Sequence, residues 1–272
     1  MSDSTGFDIE ALFLNSRHGR LFCVYRAPLA PKAGIVYVHP FAEEMHKSRR
    51  MAALQARRLA QMGCAVLHVD LLGCGDSEGD FGDASWAIWR DCVIDAYAWL
   101  AARAPGPLYV WGLRLGAALA AEVSTELPAL AGLLLWQPVA NGESFLNQFL
   151  RIKLAAEMLG EGKSQTGTKE LRRQLGSGEA VEVGGYRLAP GLAMGIDALR
   201  LGKLPVRAPV RWLDVAAELS PASAAVATAW ANGGTPVAQA AVAGEPFWVT
   251  QEITECPNLL DATTQAFAEM LP

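Results

Sequence analysis

The pentapeptide Gly112-Leu113-Arg114-Leu115-Gly116 is where this chain comes nearest to a chemical signature. Two glycines with three residues between them permit a sharp strand–turn–helix. The middle residue is then held at the apex, where a serine would serve as the nucleophile of acyl transfer. Arginine in that place stays protonated and cannot attack a carbonyl. It suits a different task. Free N–H groups and the helix dipole at a helix N-terminus already favour an anion, and a guanidinium adds a bidentate grip on carboxylate or phosphate. A buried, unpaired arginine is costly, so it needs a partner. That partner is either a carboxylate of the chain, from Glu43, Glu44, Glu218, Glu252 or Glu255, or an anion from outside. The two are compatible if a ligand exchanges for the protein carboxylate.

Other reactive side chains are sparse. Glu44 is a candidate carboxylate base, with a salt bridge to Lys47 or Arg114 as its plainer role. The histidines are His18, His39, His46 and His68, so none follows residue 68. They show no ligand spacing, and neither a metal site nor a cofactor is expected. Five cysteines with no Cys-x-x-Cys pair argue against a zinc ribbon or a disulfide framework. Cys74 reads as a packed turn residue, because nothing near it in sequence would lower its pKa. Gly160-Glu161-Gly162-Lys163-Ser164 imitates the end of a phosphate loop but lacks the first glycine, and Gly73-Cys74-Gly75 imitates a dinucleotide loop but has Glu78 at the third glycine.

The chain has 272 residues, which allows one large domain or two small ones. Its net charge of −5 argues against nucleic-acid binding; the basic stretch from Lys47 to Arg58 reads as a solvated helix face. No stretch reaches the ~18 uninterrupted apolar residues of a membrane helix. The start, Met-Ser-Asp-Ser-Thr-Gly, is neither basic nor apolar, so a cytoplasmic protein without membrane insertion is expected.

The elements that must position these residues alternate. Gly34–Val38, Ala65–Asp70, Leu108–Trp111 and Gly132–Trp136 read as strands; Ser48–Met62, Trp86–Ala102 and the segment from Gly116 to about Leu127 read as helices. Such alternation predicts an α/β fold, a mostly parallel, doubly wound sheet. After Asn141 the rhythm breaks. Phe145–Leu159 looks helical and 161–185 is polar and glycine-rich, as in a helical cap or lid insertion. The sheet resumes at Val210–Leu213, Phe247–Thr250 reads as a last strand, and Asp261–Met270 as a closing helix. The expected division is a core at 1–140 and 205–272 with an insertion at 141–204.

In this order of elements, the chain resembles the α/β-hydrolases over nearly its whole length. More narrowly, Val38-His39-Pro40-Phe41-Ala42-Glu43-Glu44-Met45 with Lys47-Ser48-Arg49-Arg50 resembles the exosortase A system-associated hydrolase 2 group. So do Asp70-Leu71-Leu72-Gly73-Cys74-Gly75-Asp76-Ser77 and the Gly112-Leu113-Arg114 elbow. The resemblance implies a bacterial gene beside exopolysaccharide and exosortase genes. It also implies a nucleophile, acid and histidine in that order. Here the nucleophile position is Arg114. The register of Pro209–Leu213 puts Glu218 at the acid position, with Asp214 as the alternative, and the histidine position falls near Glu252–Glu255, where there is none. His39 takes the place of a His-Gly motif that shapes the oxyanion loop. The amides of Leu115 and Phe41 are the matching donors.

These readings give a set of expected ligand-binding residues: Arg114, Leu115, His39, Phe41, Glu43 and Glu218. The expected ligand is an anionic small molecule or glycan, bound without serine hydrolysis. One alternative is a hydrolase or transferase acting on an ester or saccharide conjugate through Glu44, His39 and Arg114. Another is a scaffold for a partner protein of the exopolysaccharide machinery.

Overall fold

The computed structural model describes residues 6–161 and 167–271. Met1–Thr5 and the Gly162-Lys163-Ser164 part of the loop motif lie outside them.

The run Gly34-Ile-Val-Tyr-Val becomes β3 (Ala33–Val38), in which every residue is buried. A strand covered on both faces needs a continuous run of β-branched and aromatic side chains, and this one has it. On one side of it lies β4 (Cys64–Val69), on the other β5 (Leu108–Leu113), both parallel to it. β6 (Leu130–Trp136), β9 (Val210–Val215) and β10 (Val237–Val242) continue the parallel sheet beyond β5. β1 (Asp8–Ser16) and β2 (Gly19–Ala27) form a hairpin whose second strand pairs antiparallel with β4. The spatial order is β1-β2-β4-β3-β5-β6-β9-β10.

Alternation along the strands feeds two cores. Val36 and Val38 pack with α2 (Trp86–Ala101), α3 (Leu115–Val123) and α7 (Pro221–Asn232) on one face. Ile35 and Tyr37 pack with α1 (Glu43–Gln61) and α8 (Pro257–Met270) on the other. The sheet is therefore mostly parallel with helices on both sides, as the alternating pattern predicts. At its centre, Trp136 Nε1 donates to Thr263 Oγ1 at 2.9 Å, tying β6 to α8.

The segment after β6 holds α4 (Gly142–Glu161), α5 (Thr168–Gly176), a short hairpin of β7 (Val181–Val183) and β8 (Tyr186–Leu188), and α6 (Pro190–Ala198). Its two ends meet at the Asn141–Arg200 bridge. Arg172 on α5 holds Asp197 on α6 at 2.7 Å. Phe145, Leu146, Phe149 and Leu150 of α4 are buried in the same cluster as α2 and α3, so α4 packs directly on the core.

Two expectations are corrected. The first helix begins at Glu43, not Ser48, because two acidic residues in its first turn suit a helix N-terminus and the chain enters it straight from the turn at Ala42. Phe247–Thr250 is a turn, and the last strand is Val237–Val242. The aromatic side chains there serve packing: Phe247 and Trp248 are buried against the α1 side of the sheet. Within the polar 161–185 stretch, α5 buries Leu171 and Leu175.

Candidate functional site

β5 ends at Leu113 and α3 begins at Leu115, so one residue, Arg114, makes the whole turn. Its backbone lies at φ 55°, ψ −119°, a conformation that costs an L-residue about 1–3 kcal/mol. Glycines make so tight a turn fit. A Cβ on Gly112 would stand 2.5 Å from Ala117 Cα, and one on Gly116 would stand 2.2 Å from the His39 carbonyl oxygen. The second distance puts the loop after β3 directly against the elbow. That loop turns in the same way, with Ala42 at φ 49°, ψ −126° just before α1. The Arg114 backbone is fully engaged: its N–H donates to the Trp136 carbonyl at 2.9 Å, and its own carbonyl accepts from Ala117, Ala118 and Val139. The side chain is thus carried on a rigid support.

Arg114 points inward, with its side chain only 19% exposed. Its Nε and Nη2 both donate to Oε1 of Glu44, each at 3.3 Å, while Nη1 has no acceptor among the described residues. Glu44 occupies the first turn of α1, where the helix dipole favours a carboxylate. Its other oxygen, Oε2, is buried without a partner. Burial raises the Glu44 carboxyl above its ordinary 4.5, and Arg114 and Lys47 pull it back down. Over the guanidinium carbon stand two rings: Trp248, from the loop after β10, at 5.4 Å and Phe145 of α4 at 5.9 Å. A cavity of about 330 Å³ opens here. Its walls are Phe41, Phe145, Phe149 and Trp248, and its charged groups are Glu43, Glu44, Lys47 and Arg114.

Residues 30–177, just over half of the chain, match the family described as serine aminopeptidase, S33. The chain belongs to the S33 serine aminopeptidase family. No curated protein matches its sequence. Among solved structures it is similar to Est1E from Butyrivibrio proteoclasticus with ferulic acid bound, at a TM-score of 0.68 and 16% identity over 96% of this chain and 99% of that one. It is also similar to the Pyrococcus furiosus esterase PF2001, with a TM-score of 0.63 and 11% identity over 100% and 93%. Mouse alpha/beta hydrolase domain-containing protein 10 gives 0.60 and 16% over 96% and 99%. These likenesses establish the α/β-hydrolase fold.

In this S33-family chain the residues singled out by sequence fall in different places. Arg114, Glu43, Glu44 and Phe41 all line the elbow cavity. Leu115 supplies the first amide of α3, and neither its N–H nor that of Phe41 meets an acceptor among the described residues. His39 is elsewhere engaged. Its Nδ1 donates to the Pro40 carbonyl at 2.7 Å and its Nε2 accepts from the Leu71 amide at 3.1 Å, which fixes a neutral tautomer and spends both nitrogens on backbone. Burial lowers its pKa from 6.5. As an acid–base candidate it is therefore replaced by a pin that holds the β3–α1 loop to the end of β4. Glu218 is exposed beyond β9 and is not on the cavity wall. Asp214 is buried in β9, accepting from Trp212 Nε1 at 2.6 Å and Gln239 Nε2 at 3.4 Å. Glu255 pairs with Arg50 instead of Arg114. Cys74 is buried, and burial pushes its thiol far up, so it is no nucleophile. Among the described residues no group of three acidic, His or Cys side chains is arranged for a metal, and no helix is long and apolar enough to cross a membrane.

Trp248 is the site residue that sequence reasoning missed in this S33-family chain. Taking Phe247–Thr250 as a strand moved the following loop, and with it the expected histidine position, several residues too far along. Placed correctly, the loop after the last strand brings an indole, not an imidazole, over the elbow. Lys47 and Gln148 also line the cavity and have no hydrogen bond or ion pair among the described residues.

Proposed function

We propose that this protein uses its elbow cavity to bind a small anionic molecule or an acidic saccharide, and that it does not hydrolyse esters through a serine. The observation that carries this reading is the half-used guanidinium of Arg114, at the place where the fold presents a nucleophile. Two of its nitrogens share one oxygen of Glu44, and Nη1 is left for a ligand. Lys47 stands on the same wall as a second cation. Glu44, its carboxyl raised by burial, gives up its charge more readily than an exposed glutamate, and that shifts the cavity toward positive. The aromatic walls suit the apolar body of an aromatic acid or the C–H face of a sugar ring. The reading keeps the exopolysaccharide context that the hydrolase 2 resemblance implies. The triad is degenerate on this view, with Arg114 for the nucleophile and Trp248 where the histidine would be.

The test uses ferulate and galacturonate as probes, followed by quenching of tryptophan fluorescence and by calorimetry. Binding in the wild type that is lost in Arg114→Gln supports the reading, together with no serine labelled by a fluorophosphonate. Stoichiometric labelling of a serine, or binding that Arg114→Gln leaves unchanged, overturns it.

A second reading has one observation in its favour. Glu44 Oε2, buried and unpartnered, is placed to take a proton from a water or a hydroxyl beside Arg114. A hydrolase or transferase built this way would use Glu44 as base and Arg114 as anchor, without His39. Turnover of an acylated saccharide that disappears in Glu44→Gln would establish it.

A further inference from the structure

On the opposite face of the sheet from α2 and α3, a second cavity of about 180 Å³ lies between α1 and the strands β2, β4 and β3. None of its lining residues lines the elbow cavity. Strand alternation explains its contents. Arg26 on β2, His68 on β4 and Tyr37 on β3 all point to the α1 side. Tyr37 sits directly opposite His68 in the β3–β4 register, and Arg26 is the diagonal neighbour of His68 across β2–β4. Three donor-bearing side chains thus stand in a row on three adjacent strands.

Each carries a buried polar atom without a partner. Tyr37 is 4% exposed, its ring held against Trp111 at 4.2 Å and His68 at 4.8 Å, yet its hydroxyl is buried with no partner. His68 Nε2 and Arg26 Nη1 are buried and unpartnered as well. Arg26 forms no ion pair among the described residues, and burial, followed by the charge of the nearby Arg57, pushes its pKa down. The one carboxylate on the wall, Asp70, is taken by Arg49 at 2.7 Å. Burial and both arginines hold His68 neutral. The wall therefore carries one net positive charge, Arg26, and buried Arg26 N–H and Tyr37 O–H groups with nothing to donate to, beside a His68 nitrogen that donates in one of its two neutral tautomers.

Interiors rarely leave buried donors unmet, and each such group calls for an explanation. What is missing here is an acceptor with several oxygens and a negative charge. We propose that this cavity is a binding site for a phosphate-sized oxyanion, held by Arg26, Tyr37 and His68. At about 30 Å³ per water in the liquid, the space equals roughly six waters, which admits an inorganic phosphate or a small phosphorylated metabolite and excludes a polysaccharide.

Inorganic phosphate is the probe, titrated by calorimetry at low salt into the wild type and three variants. Tyr37→Phe removes only a hydroxyl that bonds to nothing and should fold normally; Arg26→Gln removes the charge; Arg114→Gln removes the cation of the other cavity. The expected result is binding that Arg26→Gln weakens by about tenfold or more, as for a lost charge-assisted bond, that Tyr37→Phe also weakens, and that Arg114→Gln leaves in place. No binding at millimolar phosphate overturns the proposal, and so does affinity that survives in both Arg26→Gln and Tyr37→Phe.

Discussion

Arg114 and Trp248 face each other across the elbow, the guanidinium carbon 5.4 Å from the centroid of the indole. An arginine over the face of a tryptophan is attracted by the ring quadrupole, and more so when water is excluded. Trp248 is 5% exposed. Indole has one N–H to donate and no lone pair to accept a proton, so the residue that reaches the apex cannot act as a base. It can hold a cation in place.

Replacing Arg114 with serine should therefore create no esterase. A lone serine hydroxyl at the apex lacks a proton acceptor, and loss of a triad base alone typically removes on the order of 10⁶ in rate. Hydrolysis of a p-nitrophenyl ester by Arg114→Ser should stay at the level of buffer; a burst of product would show that a base exists after all.

Trp248→Ala should destabilise the fold by about 3 kcal/mol, the lower end of the range for truncating a buried aromatic ring. Trp248→Phe keeps a ring over the cation and should cost under about 1.5 kcal/mol. Urea denaturation midpoints read both. Equal losses would mean that the indole packs without regard to Arg114.

At Gly116 a single methyl group decides the outcome. Its Cβ would fall 2.2 Å from the His39 carbonyl oxygen and 2.5 Å from that of Val38, both backbone atoms that cannot swing away. Gly116→Ala should cost about 3 kcal/mol or more, above the usual overpacking penalty, with a melting temperature that falls well below that of the wild type. A near-neutral change would mean that the elbow and the β3 loop can part.

The pH dependence has a definite sign for His39. Its folded pKa is lowered from 6.5 by burial, so the unfolded chain binds a proton near pH 6.5 that the folded chain refuses. Stability from the neutral imidazole is complete above pH 6.5 and is lost as pH falls below it. Measured against His39→Asn, which does not titrate, the wild type should lose relative stability between about pH 7.5 and about pH 5.5. A gap that stays constant would mean that folding leaves the His39 proton equilibrium where it lies in the unfolded chain.

How much of this was legible in the chain follows from which signals are local. β3, β4, β5 and β6 could be read because buried parallel strands are continuous apolar runs, and the elbow because two glycines at fixed spacing have one backbone use. The hairpin of β1 and β2 and the last strand, Val237-Ala-Gln-Ala-Ala-Val, lie at the sheet edges, half exposed and without such runs. Trp248 joins the site only through the fold. Its distance from Arg114 in sequence is bridged by four strands' worth of topology, and a misplaced strand hid it. Glu44 was visible as a candidate, but its choice of Arg114 over Lys47 rests on where α1 begins.

The conformation at residue 114 carries one more consequence. Glycine adopts φ 55° almost freely, whereas any other residue does so at a standing cost. If the apex merely closed a turn, the smallest side chain would relax it. This protein bears the strain and sets one of the largest cationic side chains upon it, as a catalytic elbow does for its serine. Substituting Gly for Arg114 should thus ease the main chain and, on the proposed function, empty the cavity of its grip, so that robustness and recognition would move in opposite directions at a single codon.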